Sequence, residues 1–239
     1  VSQFIGIILD ALPFLLQGAL ITLQLAAVSV FFGLIGGSLL GILRLSPSPI
    51  VRIAARAYID FFRGTPLLVQ LFMVYFGIPG LCRNLGFQFT FNQFSAAVLT
   101  LSLNSAAYLG ETVRAGIQSI EVGQREASES LGLGPVQTMR YVIFPQAFRR
   151  MIPPIGNEFI SLLKDTSLAS VIGFAELLQQ GRFIVARNFR SFEIYAAVAL
   201  VYLALTLLSS KGIDWLEWRM DPVARLKNKA VRAERLARQ

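Results

Sequence analysis

The chain has 239 residues, of which 54% are hydrophobic and 15% charged. A soluble domain ordinarily carries about 25% charged residues, so an ordinary soluble enzyme is excluded, as are disordered and collagen-like chains. An all-α membrane protein that crosses the bilayer several times is the class that remains. The net charge is +8, and in a membrane chain the informative question is where those positives lie. There is no His, so no His metal ligand or general base exists, and the single Cys82 cannot form an internal disulfide. No Gly-Lys-Ser/Thr occurs, which removes ATP hydrolysis through a phosphate-binding loop of that kind. The sequence opens on Val1 with no cleavable signal peptide in view. Both a trimmed terminus and the tail of a longer polypeptide fit that opening.

Leu12 to Leu43 is uncharged and exceeds the roughly 20 residues of one bilayer crossing. It is the first expected transmembrane helix. Gly33, Gly36, Gly37 and Gly41 fall in it at the three- and four-residue spacing that admits a close neighbour helix. A helix that merely tolerates glycine is the plainer alternative. Ser46-Pro47-Ser48-Pro49 stops the run. Ile50 to Phe62 is amphipathic, with Arg52, Arg56 and Asp60 on one face and Ile53, Ala57 and Phe61 on another. At Arg63-Gly64-Thr65-Pro66, Thr65 is the expected cap of a helix beginning at Pro66. A second apolar run, Leu67 to Leu81, follows, and residues 82–93 read as a loop. A third span begins near Phe94 and meets Glu111 and Arg114 at its end. A fourth is expected to start at Pro153-Pro154 and to reach about Leu178, and a fifth covers Ile194 to Ser210.

Five spans put the two ends on opposite sides. Sixteen Lys/Arg gather in the 44–66 segment, the 119–153 segment and the tail, against four (Arg83, Arg182, Arg187, Arg190) on the other side. That bias places the C-terminus in the cytoplasm and the N-terminus outside. The expected organisation is a transmembrane domain over residues 1–220, with a cytoplasmic loop at about 120–152, and a basic cytoplasmic tail over 221–239.

The 120–152 loop is the most informative stretch. It reads as two short helices broken at Gly132–Pro135, with Pro135 opening the second and Pro145 ending it. About 30 ordered residues are too many for a plain linker, and docking a soluble partner is one reason for them. Glu126-Ala127-Ser128, then Gly132, then nine residues, then Val142-Ile143-Phe144-Pro145 resembles the signature Glu-Ala-Ala, three residues, Gly, nine residues, Ile-x-Leu-Pro of permease subunits of bacterial ABC importers. Ser128, Val142 and Phe144 depart from it conservatively. Arg63-Gly64-Thr65-Pro66-Leu67, Asn104-Ser105-Ala106-Ala107-Tyr108 and Ile160-Ser161-Leu162-Leu163-Lys164-Asp165-Thr166-Ser167-Leu168 look like the polar amino-acid uptake branch. The resemblance covers roughly residues 10 to 220.

That resemblance implies a type I importer permease fold in a bacterial inner membrane. It implies a loop whose Glu126, Ala127, Ser128, Gly132 and Pro145 dock an ATPase subunit. It also implies the partners: two ATP-binding cassette subunits that hold ATP and Mg, a second permease copy or homologue, and an extracytoplasmic amino-acid-binding protein or a binding domain fused ahead of Val1. Membrane lipid is a further partner, nucleic acid is none, and this chain itself carries no cofactor, metal site or catalytic residue.

Ionisable groups inside a bilayer cost roughly 2.5–3.5 kcal/mol each on insertion scales and usually face a path or the protein interior. The candidates for the substrate path are Asn104, Ser105, Tyr108, Glu111, Lys164, Asp165, Thr166 and Ser167, with Glu158 a further ionisable candidate inside a span. A zwitterionic amino acid offers a carboxylate to a cation and an ammonium to an anion. Simpler roles stay open: Glu111 pairing with Arg114 three residues on, and Glu158 bracing the fourth span. An ATP-independent secondary transporter or channel is the alternative function. It predicts inverted repeats or broken helices in matching halves, and no repeat is apparent. A membrane scaffold that only recruits partners is the third, and the polar residues inside the spans argue against it.

Overall fold

The computed structural model describes residues 2–220; the basic tail expected over 221–239 lies outside them. Every regular element among the described residues is helical. The longest, α1 (Ser2–Arg44), has 43 residues and so a length of about 64 Å. It starts ten residues ahead of the expected Leu12, continuing through the charged Asp10, and Pro13 lies inside it without breaking it. Arg44 ends it, and α2 (Pro49–Gly64) begins on the proline that punctuated the sequence.

After a break at Thr65-Pro66, α3 (Leu67–Phe72), a π-helical turn (Met73–Gly77) and α4 (Ile78–Asn84) form one continuous rod. Thr65 does not cap that rod. It ends α2, its hydroxyl donates to the Phe61 carbonyl at 2.8 Å, and Pro66 is the capping position before Leu67. Residues 82–84, expected in a loop, complete α4. Next, α5 (Gln93–Gln118) is capped by Asn92, whose Oδ1 accepts from the Ser95 amide at 2.7 Å.

The 120–152 segment begins with α6 (Val122–Ser130). Then α7 (Pro135–Gln137), a π-helical turn (Thr138–Ile143) and α8 (Phe144–Asp165) run on as one helix. Pro135 occupies the first helical position, as the sequence indicates. Pro145 does not end the helix: the π turn widens the coil just ahead of it and accommodates its ring. Pro153 and Pro154 lie inside α8 rather than at its start. Their rings disturb the carbonyls of Arg149 and Arg150, two exposed residues where a lost helical bond is tolerable. Nor does the fourth helix reach Leu178. It tightens into a 3-10 segment (Thr166–Ile172) and stops at Gly173, whose φ of 79° is the left-handed conformation glycine favours. A separate α9 (Leu177–Asn188) and the final α10 (Ser191–Met220) complete the described chain.

Packing explains the arrangement. α1 runs alongside α5 over a long seam made of its glycine face. A methyl placed on Gly37 would sit 2.6 Å from Leu109 Cβ, and one on Gly41 would sit 2.7 Å from Val113 Cβ. Gly33, Gly37 and Gly41 are therefore packing positions, where only hydrogen fits. One apolar cluster joins Ala11, Leu15 and Ala19 of α1 to Leu177 of α9 and to Ile194 and Val198 of α10. Another joins Val113 and Ile117 of α5 to Ile143, Ala147 and Met151. Large apolar side chains also cover the outside, among them Phe31, Phe32, Ile35 and Leu39 of α1 and Leu200, Leu203 and Leu207 of α10. An apolar exterior of that extent suits lipid.

Among the described residues three helices are long and apolar enough to cross a membrane: Gly6–Arg44, Leu67–Asn84 and Ser191–Met220. The other two expected spans, in α5 and α8, are more polar. Thr100, Ser102, Asn104 and Ser105 are buried in α5, and α8 carries Arg149, Arg150, Glu158, Lys164 and Asp165. The two helices pack against each other inside the bundle.

Candidate transport path and docking hairpin

Those two helices and the α2–α3 break enclose a cavity of about 960 Å³. From α5 it receives Asn104, Tyr108, Glu111 and Thr112; from α8, Arg150, Asn157, Glu158, Ser161 and Asp165. Apart from the adjacent pairs Glu111-Thr112 and Asn157-Glu158, successive positions are three, four or seven apart, which is one face of a 3.6-residue coil. Two polar stripes thus face one another across a space large enough for an amino acid. Arg63 and Thr65 enter from the break between α2 and α3.

The charges are distributed unevenly. At the end nearest α6, Glu111 is bridged by Arg114 and lies 3.7 Å from Arg44. Arg114 also donates to Gln118 at 2.5 Å, and Arg150 donates to the Ser119 carbonyl. Arg63 sits over the Tyr108 ring at 5.2 Å, a cation–π contact. Among the described residues Glu158 and Asp165 have no cation within 4 Å. The far half of the cavity therefore carries two carboxyls with no ion partner.

Of the residues expected on the path, Asn104, Tyr108, Glu111 and Asp165 come together on the cavity wall. Glu111 has the Arg114 partner that its sequence spacing allows, and it faces the cavity as well. Ser105 is fully buried on the side of α5 that faces α1. A methyl on Gly33 would meet its hydroxyl at 2.8 Å. Lys164 is exposed, off the cavity, as the turn of about 100° from Asp165 requires. Thr166 is buried with its hydroxyl donated to the Leu163 carbonyl at 2.8 Å, and Ser167 is half-buried; neither lines the cavity. Arg63, Arg150, Asn157 and Ser161 escaped the sequence reading as path residues. The α8 members were findable by stepping back from Asp165 by three and four.

The second candidate site is the hairpin of α6 and α7. Glu126, Ala127, Gly132 and Pro145 are exposed. Ser128 is turned inward instead, its hydroxyl donating to the Gln124 carbonyl at 2.7 Å and the Arg125 carbonyl at 2.9 Å. Gly132 has φ of 80° and reverses the chain after α6, with open space around it. The Gly134 amide donates to Gln137 Oε1 at 3.0 Å and stiffens the start of α7. Leu131 and Val136, 83% and 79% exposed, stand on either side of the reversal. Two bare apolar side chains on a short polar hairpin were not anticipated.

Residues 33–222 match the family described as binding-protein-dependent transport system inner membrane component. The chain is 44% identical over 210 residues to the glutamine transport system permease protein GlnP of Escherichia coli (strain K12), covering 88% of this chain and 94% of that one. It is 42% identical over 198 residues to the arginine transport system permease protein ArtQ of Bacillus subtilis (strain 168), covering 82% and 88%. A crystal structure of an amino acid ABC transporter with histidines superposes with a TM-score of 0.81 at 39% identity, over 88% of this chain and 96% of that chain. The methionine ABC transporter MetNI, in an inward-facing conformation, shares the fold at a TM-score of 0.71 and 23% identity. The chain thus belongs to the binding-protein-dependent transport system inner membrane components, among the amino-acid permease subunits of ABC transporters.

Proposed function

We propose that this permease subunit carries a polar amino acid across a bacterial inner membrane through the α5–α8 cavity, driven by ATP that separate subunits hydrolyse. The observation that carries the reading is the cavity, with Arg63 on one wall and Glu158 and Asp165, free of ion partners, on another. A substrate ammonium meets the two carboxyls and a substrate carboxylate meets Arg63. Asn104, Tyr108, Asn157 and Ser161 supply hydrogen bonds. Five spans run through α1, α3–α4, α5, α8 and α10, with the N-terminus outside and α6 in the cytoplasm. The excess of Lys and Arg on the α6 side supports that orientation. ATP and Mg reside in two ATPase subunits, a second permease completes the path, and an extracytoplasmic binding protein delivers the solute.

The hairpin is the coupling element. Glu126, Ala127, Gly132 and Pro145, with Leu131, face the ATPase, and Ser128 braces α6 from within. Because one helix continues from Pro135 to Asp165, a push on the hairpin is passed along a stiff rod to the cavity carboxyls. Gly132→Asp tests this. The isolated chain has room for the new side chain, and Asp is among the few residues that visit left-handed backbone. Any loss therefore reports the docked partner. We expect the variant to insert normally, to lose co-purification with the ATPase in mild detergent, and to lose uptake. Wild-type complex and uptake in the variant would shift the weight to an ATP-independent transporter.

A further inference from the structure

Pro66 breaks the rod between α2 and α3, and the break leaves a specific vacancy. In a continuous helix the amide of residue 66 would donate to the carbonyl of Phe62, and proline has no N–H to give. The Gln70 side chain fills that role. It is 3% exposed, and its Nε2 donates to the Phe62 carbonyl at 2.8 Å, to the Thr65 carbonyl at 3.1 Å and to Thr65 Oγ1 at 2.9 Å. Its Oε1 accepts from Asn104 Nδ2 at 3.0 Å, and Asn104 Nδ2 also reaches the Phe62 carbonyl at 3.3 Å. The amide orientation is fixed by chemistry: two carbonyls can only accept, so the nitrogen must face them.

We infer that Gln70 is a positioning residue of the transport path, whose amide supplies the hydrogen bond Pro66 withholds and so fixes the elbow that presents Arg63 and Thr65 to the cavity. This rests on the reading of the α5–α8 cavity as the substrate path. Gln70 lies outside the cavity and acts through Asn104 and the elbow. Sequence shows only a polar residue in an apolar run. Its purpose appears once Pro66 four residues earlier is seen to leave a carbonyl bare.

Two variants separate hydrogen bonding from bulk. Gln70→Met keeps the volume and loses every hydrogen bond. Gln70→Glu keeps the acceptor for Asn104 and, when protonated, one donor. In the reconstituted full importer we expect substrate-stimulated uptake to fall about tenfold for Gln70→Met and less for Gln70→Glu, with basal ATP hydrolysis retained. A packing role alone would leave Gln70→Met at wild-type uptake, and that result would overturn the inference. A second readout is independent of substrate. In a Cys82→Ser background, Arg63→Cys and Tyr108→Cys are joined by a short bifunctional thiol reagent in intact membranes. The cross-link yield should drop at least fivefold when Gln70→Met is added. Equal yields with and without Gln70→Met would refute the positioning role. A wild-type importer that moves no amino acid would instead refute the substrate reading, and the cross-link would still decide the role of Gln70.

Discussion

Glu176 is fully buried and has no cation beside it. It precedes α9 and caps it, Oε1 accepting from the Gln179 amide at 2.8 Å. Oε2 accepts from Tyr202 of α10 at 2.6 Å and from Thr22 of α1 at 3.4 Å, while Thr22 Oγ1 accepts from the Leu177 amide at 3.1 Å. One carboxyl thus ties three helices together. Truncation strands two buried donors and the half-buried Tyr202 hydroxyl, at about 1–3 kcal/mol for each buried group. Glu176→Ala should therefore lower stability by about 3 kcal/mol or more, read as a reduced melting temperature in detergent. Glu176→Gln keeps two of the acceptor contacts through its single oxygen and should lose roughly half as much. Sequence alone conceals this residue, because Glu is not among the preferred N-caps and its other two partners lie 154 and 26 positions away.

At the scale of the element, the glycine spacing in α1 turned out to mark a real seam. Gly37→Val would drive a branched side chain into Leu109 and the Gly110 backbone, at 2.6 and 3.0 Å from the new Cβ. The expected cost is about 1–3 kcal/mol of overpacking or more, seen as lower thermal stability or a lower yield of folded protein. Gly212→Ala in α10, where a Cβ meets nothing within 4 Å, should be neutral or stabilise by up to about 1 kcal/mol. A matching loss at Gly212 would mean that the glycine spacing carries no packing information. Helix existence was legible from hydrophobic runs, and Pro135 gave a true start. Proline misled in the fourth span. Pro145, Pro153 and Pro154 read as boundaries, yet a π turn and an exposed helix face absorb them within one rod. The stop at Gly173 was hidden for a related reason: apolar residues continue past it, and only the backbone conformation reveals the end.

For the whole molecule, the informative quantity is the imbalance of charge along the cavity. Glu111 is held by two arginines near the α6 end, whereas Glu158 and Asp165 wait without ion partners at the other. Glu158→Gln and Asp165→Asn should each reduce uptake about tenfold, with co-purification of the ATPase unchanged. Transport assays in proteoliposomes across a panel of solutes check this. A cationic amino acid should lose more than a neutral one, and equal uptake of all solutes by the double variant would remove these carboxyls from the path. The sequence had already offered Asp165 through its motif and Glu158 as an ionisable residue inside a span, with bracing as its simpler role. Their convergence depends on α5 and α8 facing each other, which no local pattern encodes.

The seam between α1 and α5 has a mechanical meaning as well. With added methyls at Gly33, Gly37 and Gly41 falling within 3 Å of the opposite helix, the two backbones are already in contact and have no clearance to slide. They form a stator. On the proposed coupling, displacement would fall to the rod that starts at the hairpin, while the elbow at Thr65-Pro66, pinned by Gln70, holds the opposite wall of the cavity.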